Sequence, residues 1–245
     1  MTEEPYRWIE AIGNRREYVE TQLRGGSPVF AASLDDGILL LGVGTGHSKV
    51  FEIFDRHALA GLGHPTDLER VRQTLIDAAH LEAFTRASAD VSLRRLVSFG
   101  LGPQLKTAFE QLFSPPFLVR LLLAEVGQRP TNDLLVRLDF DGSFELRPGG
   151  VAIAADSPSG TAAAGDWLAP RIDSSTSLPD ASLWLLEAWH RLTASEPFPA
   201  DLDRPRTAWT LPAGRQVEAA LLRRTAPGEA RYQPLDPAQL VPPPA

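Results

Sequence analysis

The chain has 245 residues, 43% apolar and 22% charged, with a formal net charge of −7. That is enough chain to bury a substantial core, in the proportions of an ordinary soluble protein. The surplus of acid argues against nucleic acid or an anionic membrane surface as the main partner, because both need a cationic face. The absence of cysteine excludes disulfides, thiolate metal sites and cysteine nucleophiles. The opening Met1-Thr2-Glu3-Glu4 is acidic, unlike a secretory signal, and no apolar run approaches the ~18 residues of a membrane span. A cytoplasmic address is the expectation.

Tyr6, Trp8, Ile9 and Ile12 make the first dozen residues too apolar for a free tail, so they are expected to pack on something. Gly13-Asn14 predicts a break, followed by a helix from Arg15 to about Arg24, stopped by Gly25-Gly26. Val19 and Leu23 sit at i and i+4 and face inward, with Tyr18 beside them. So polar a helix is unstable alone and needs packing to offset its nucleation cost. Ser27–Leu34 and Ile38–Val43 read as strands joined by the turn Asp35-Asp36-Gly37, with Asp-Gly supplying the positive φ of a tight hairpin. The second run suits a strand covered on both faces. Lys49–Ile53 and Ala58–Leu62 read as two further short strands.

Thr66-Asp67-Leu68-Glu69 is a capping-box pattern, and the apolar spacing after it predicts a helix to about Arg86. A second helical region spans Ser92–Phe113 with a kink or break at Gly100–Pro103, since proline is not tolerated mid-helix. Phe117–Val126, Leu134–Phe140, Ser143–Leu146 and Gly150–Ala155 read as strands, with Asp141-Gly142 turning the second into the third. Thr161–Trp167 reads as a short helix. Asp180–Thr193 is a clearer one, with Ala181, Trp184, Leu185, Ala188, Trp189 and Leu192 on one stripe. Arg206–Leu211, Gln216–Arg223 and Glu229–Leu235 read as strands. The alternation of strands and helices predicts an α+β fold of two packed sheets with helices outside. One domain is expected over residues 1–235, followed by a Pro-rich flexible tail over 236–245.

The charged helix Arg15-Arg16-Glu17-Tyr18-Val19-Glu20, the hairpin at Asp36-Gly37, the run Lys49-Val50-Phe51-Glu52-Ile53-Phe54-Asp55-Arg56, the Ala60-Gly61-Leu62-Gly63 entry to a long helix, and Asp141-Gly142 late in the chain occur in an order that resembles proteasome subunits of the α type, closest to the bacterial (actinobacterial) ones. The resemblance runs from about Asn14 to Asp156. It implies a four-layer αββα sandwich with an N-terminal nucleophile (Ntn) hydrolase core. It also implies a non-catalytic subunit that forms a closed, seven-membered ring gating entry for protein degradation. The implied partners are copies of itself, a catalytic β-type subunit and a ring ATPase or other activator. No cofactor and no metal are implied.

The same resemblance assigns the site residues. Lys49 aligns with the lysine that in bacterial α subunits receives an activator's C-terminal carboxylate. Arg15, Arg16, Tyr18, Val19 and Leu23 on the first helix, with Asp55 and Arg56, fall on the subunit interface, where Asp55-Arg56 reads as a structural ion pair. Ser27 falls where catalytic β-type subunits carry an N-terminal threonine. The alternative function is therefore a self-processing Ser27 hydrolase of amide bonds, with Lys49 in support. Its freed α-amine would act as general base, with a pKa of about 7.7–8.0 suited to the task. Against this stand serine in place of threonine, Pro28 next in the chain, and Val43-Gly44 where catalytic subunits carry an acidic residue. His47, His57, His64, His80 and His190 have no metal-ligand spacing. Gly42-Val43-Gly44-Thr45-Gly46 lacks the Lys-Ser/Thr ending and following helix of a phosphate loop.

Overall fold

The computed structural model describes residues 4–240 except 208, 210, 227 and 229. Two five-stranded antiparallel sheets stack face to face. The first contains β1 (Val29–Leu34), β2 (Gly37–Gly44), β8 (Val151–Ala154), β9 (Gln216–Arg223) and β10 (Tyr232–Leu235), in the order β10-β9-β2-β1-β8. The second contains β3 (Val50–Phe54), β4 (His57–Gly63), β5 (Val119–Glu125), β6 (Leu134–Asp139) and β7 (Phe144–Pro148), in chain order. On the outer face of the second sheet lie α2 (Pro65–Thr85), the single turn α3 (Leu93–Arg95) and α4 (Gly102–Glu110); α5 (Pro158–Leu168) and α6 (Leu178–Ala194) cover the first. The result is a four-layer αββα sandwich.

Side-chain alternation distributes the apolar residues. Along β2 every residue is buried. Leu39, Leu41 and Val43 face the outer layer under α5 and α6, with Trp167, Trp184 and Trp189. Ile38 and Leu40 face the middle layer, where they meet Ala58, Ala60 and Leu122 of the second sheet. Leu59, Leu121 and Leu123 turn the other way, toward Leu68, Val71 and Leu75 of α2. The hairpin turn consists of Asp35 and Asp36, and Leu34 pairs with Gly37. Gly37 is required by close approach: a Cβ there would lie 2.3 Å from the Leu222 carbonyl oxygen of β9.

Several sequence expectations are corrected. The first helix, α1 (Glu4–Leu23), runs straight through Gly13-Asn14. A mid-helix glycine costs only about 1 kcal/mol against alanine, and the burial of Val19 and Leu23 in the middle layer offsets it. The capping box is not used. His64 is the N-cap, without a side-chain bond, and Pro65 starts α2; Asp67 instead accepts the Leu118 amide and Glu69 pairs with Arg72. The expected kink near Gly100 is a π-helical segment at Leu96–Leu101, with Pro103 in the first turn of α4, where its missing N–H does no harm. The run 206–211 forms no strand at its described residues. Of the Pro-rich end, Pro237–Leu240 forms a helical turn (α7) with Leu240 buried against the outer layer, and residues 241–245 lie outside the described residues. Among the described residues no helix is long and apolar enough to cross a membrane.

A buried ionic clamp ties the two sheets together at the hairpin end. Asp133, just before β6, is fully buried. Its carboxylate accepts from Arg224 Nη1 at 2.6 Å and Nη2 at 3.0 Å, from the Ser33 hydroxyl at 2.5 Å and from the Gly127 amide at 2.8 Å. Arg224 also donates to the carbonyls of Leu34, Asp35 and Gly127. Because both charges are desolvated, removing one strands the other. Arg224→Ala is therefore expected to cost roughly 3–5 kcal/mol, whereas an apolar double replacement, Asp133→Leu with Arg224→Met, costs less than either single change. Urea unfolding of the three variants measures the difference.

Candidate functional site

Gly25, in the left-handed region at φ 76°, ends α1. The following turn is fixed by the Gly26 amide on the Leu23 carbonyl (2.9 Å) and the Gly25 amide on Asp156 Oδ2 (2.8 Å). The chain then crosses the end of the middle layer before β1 begins. A cavity of about 320 Å³ opens there, between this turn, the β2–β3 loop and the start of α2, with Ser27, Lys49 and Arg215 on its walls.

Ser27 lies two residues ahead of β1. Its hydroxyl donates to the Val43 carbonyl at 2.6 Å and accepts from the Trp189 indole N–H at 2.9 Å. The proton that a nucleophile must lose is thus directed at a carbonyl oxygen, which is no base. Lys49 precedes β3. Its stem passes alongside Gly42 and Gly44 of β2. The ammonium donates to the Ser27 carbonyl, not the hydroxyl, at 3.0 Å. Burial lowers its pKa to about 8; Glu218 pulls the value up and Arg215 pushes it further down.

Three residues of this site escape sequence reading. Glu218 on β9 accepts the backbone amides of Lys49 (2.7 Å) and Val50 (3.2 Å), holding the start of β3 against the first sheet. Its signal was an acid in an otherwise apolar strand. Trp189 was recognised only as part of an apolar stripe, and nothing marked Arg215, whose guanidinium lies 5.7 Å from the centre of the Trp189 ring.

The residues assigned to an interface divide into two groups. Arg15 donates to the Ala108, Leu112 and Ser114 carbonyls at the end of α4. Arg16 pairs with Asp141 at 2.6 Å and lies over the Phe109 and Phe140 rings. With the buried Val19 and Leu23, these side chains hold α1 to the body. Tyr18 stays 51% exposed, as do Trp8 at 48% and Ile9 at 68%. Asp55 and Arg56 do not pair with each other: Asp55 meets Arg231 at 3.4 Å and Arg56 meets Glu125 at 3.5 Å. Their neighbour His57 is buried, 3.5 Å from Glu125. Among the described residues no three His, Asp or Glu side chains are grouped to hold a metal ion.

The stacked antiparallel sheets with helices on both outer faces are consistent with the α+β sandwich of proteasome subunits alpha. The chain is similar over most of its length to actinobacterial proteasome subunits alpha. It is 28% identical to the proteasome subunit alpha of Streptomyces scabiei over 233 residues, 94% of this chain and 87% of that one. It is 29% identical to that of Streptomyces coelicolor over 235 residues, 94% and 85% of the two chains. With that of Nocardioides sp. it shares 29% identity over 236 residues, 94% and 84%. No protein-family model matches the chain.

The desolvated lysine has a consequence for stability. Its folded pKa of about 8 lies below the ordinary 10.5, so between these values the unfolded chain holds more protons and stability rises with pH. Lys49→Met removes that penalty. It is expected to stabilise the fold by roughly 1–2 kcal/mol at pH 7, with the gain shrinking as pH rises from about 8 toward 10.5. Denaturant melts at pH 7 and pH 10 check both size and sign.

Proposed function

We propose that the chain works as a non-catalytic α-type subunit of a proteasome core particle. It would build a ring, seven-membered as in the resemblance, that controls entry to a chamber whose catalytic residues belong to a separate β-type chain. The observation that carries this reading is α1. A subunit that exposed Ser27 as a new N-terminus would have to discard α1. Here that helix closes the middle layer with Val19 and Leu23 and is fastened by Arg15 and Arg16 to α4 and the β6–β7 turn. The Ser27 hydroxyl supports the same reading, because it donates to a carbonyl and not to a base.

The faces available for assembly follow from the same geometry. Trp8, Ile9 and Tyr18 stand exposed on the helix that Arg15, Arg16, Val19 and Leu23 hold in place, and they suit contact with a neighbouring copy. Asp55 and Arg56, paired elsewhere in the chain, shape the edge beside it. Lys49, in its cavity, supports the reading that an activator such as a ring ATPase is received by its carboxylate end.

Intact and native mass of the purified protein test the proposal together. The expected result is the full 26.7 kDa chain in a ring-sized oligomer. A chain lacking residues 1–26 would instead establish the Ser27 hydrolase. In the same measurement Trp8→Glu with Ile9→Glu shifts the oligomer to a folded monomer and leaves the melting temperature within a few degrees of the parent, because both side chains lie on the outside.

A further inference from the structure

Among the described residues His57 is the histidine that is wholly buried, at 1% exposure. It opens β4, opposite Phe54 of β3 and Glu125 of β5. Neither of its ring nitrogens has a hydrogen-bond partner among the described residues. Buried polar groups in folded proteins are nearly always bonded, so an unsatisfied ring of this kind calls for an explanation. A carboxylate faces it: Glu125 Oε2 lies 3.5 Å from His57 Nε2, too far for a good neutral hydrogen bond and close enough for a strong attraction between charges.

That carboxylate has a second task. Glu125 Oε2 accepts the Leu93 amide at 2.8 Å, and Oε1 lies 3.5 Å from Arg56 Nη1. Leu93 is the first residue of α3, which continues through the π-helical segment into α4. The N-cap residue Ser92 makes no side-chain bond, so Glu125 caps the run from a neighbouring strand. It satisfies an orphan amide and places negative charge at the positive end of the run. Arg56 in turn donates to the Ala89 and Val91 carbonyls. The β3–β4 turn and the end of β5 thus hold residues 86–92, the connection between α2 and the α3–α4 run. This is the part of the outer layer that lies between the exposed Phe84 and Phe99.

We infer that His57 is the sensor of a pH-sensitive latch: as the imidazolium it holds Glu125 on the Leu93 amide and closes residues 86–92 against the body, and on losing its proton it lets that connection open. The titratable and charged groups around the ring are Glu125 on β5, Arg56 in the β3–β4 turn and, by way of Phe54, His80 on α2. The Phe54 ring centre lies 6.3 Å from that of His57 and 5.2 Å from that of His80. Asp55 in the same turn is engaged by Arg231, and Glu82 of α2 by Arg95 of α3. Burial pushes the Glu125 carboxyl up, but His57, the Leu93 amide and Arg56 together hold it below the usual range. Glu125 is therefore the fixed charge, and the histidine is the one that changes, since histidine is the side chain that gains or loses its charge between about pH 5 and 8. The closed connection binds the imidazolium proton more tightly than the open one, so opening is favoured as pH rises through that range. Arg56 keeps its own hold on Glu125, which makes the event a local opening and not unfolding.

Hydrogen exchange of the full chain tests the latch, read by mass spectrometry on peptides covering residues 86–96 and, as reference, β2. Protection is expressed against the intrinsic exchange rate at each pH. Between about pH 5.5 and about pH 8 the protection of 86–96 is expected to fall by about tenfold or more while β2 stays unchanged. His57→Phe keeps a ring of similar bulk and gives the same protection at both pH values. Glu125→Gln is also flat, at the weaker level that wild type reaches at the higher pH. His80→Gln retains the wild-type fall, which separates the two rings, and melting temperatures confirm that each variant is folded. A structural role for His57 alone predicts a change in protection without a change in its pH profile. A flat profile in wild type, a fall that survives in His57→Phe, or a profile flattened by His80→Gln overturns the inference. The first and last of these decide the matter even where the core does not accept phenylalanine.

Discussion

Both sheets are apolar on both faces, and the rest of the architecture follows from that constraint. A strand such as β2, buried along its whole length, cannot present either side to water. Its Leu39 and Leu41 demand a helical layer, while Ile38 and Leu40 demand a second sheet. The second sheet has the same need, since Ala58 and Ala60 face inward and Leu59 outward. Two sheets of this kind close only by stacking, with helices on the two outer faces. At roughly 25 cal/mol for each Å² of apolar surface removed from water, this three-part core dominates the stability, and ionic features such as the Asp133–Arg224 clamp fix alignment within it.

The middle layer is open at its ends, and its closure decides what the chain can do chemically. At one end α1 supplies Val19 and Leu23 as a lid. The chain leaving that lid is held by the Gly25 and Gly26 amides, so the backbone delivers Ser27 to the cavity mouth within a continuous peptide. In an Ntn hydrolase the same position would need a free amine and a mobile proton. Here the hydroxyl donates to the Val43 carbonyl.

Much of this was legible in the sequence because it rests on local periodicity. Gln216–Arg223 is a strand as read, and the Trp184–Trp189 stripe packs as its spacing implied. What was not legible depends on residues far apart in the chain. The break expected at Gly13-Asn14 gave way because tertiary burial outweighs a weak propensity. The capping box at Thr66 failed because a proline one residue earlier offered another start. At the site, Lys49 and Ser27 were visible by resemblance. Glu218, 169 residues from the Lys49 amide it accepts, could not be placed until β9 was paired with β2. Trp189 and Arg215 were hidden for the same reason: a residue on an apolar stripe gives no sign that its polar edge is used elsewhere.

The placement of Lys49 also bears on what the cavity is for. Burying an ammonium opposes folding, as its pKa near 8 expresses, and a cationic neighbour makes it worse. A chain selected for stability alone would fill this space with an apolar side chain. Instead the lysine stem runs past Gly42 and Gly44 of β2 to the cavity. Glu218 offsets only one of the two positive charges, while its oxygens accept the amides that hold β3. The charge is thus maintained against the preference of the fold, at a place where water is partly excluded and an incoming anion would be bound more strongly than at the surface. Such an arrangement is understandable if the missing negative charge arrives with a ligand, because the ligand then removes the penalty that the empty cavity carries.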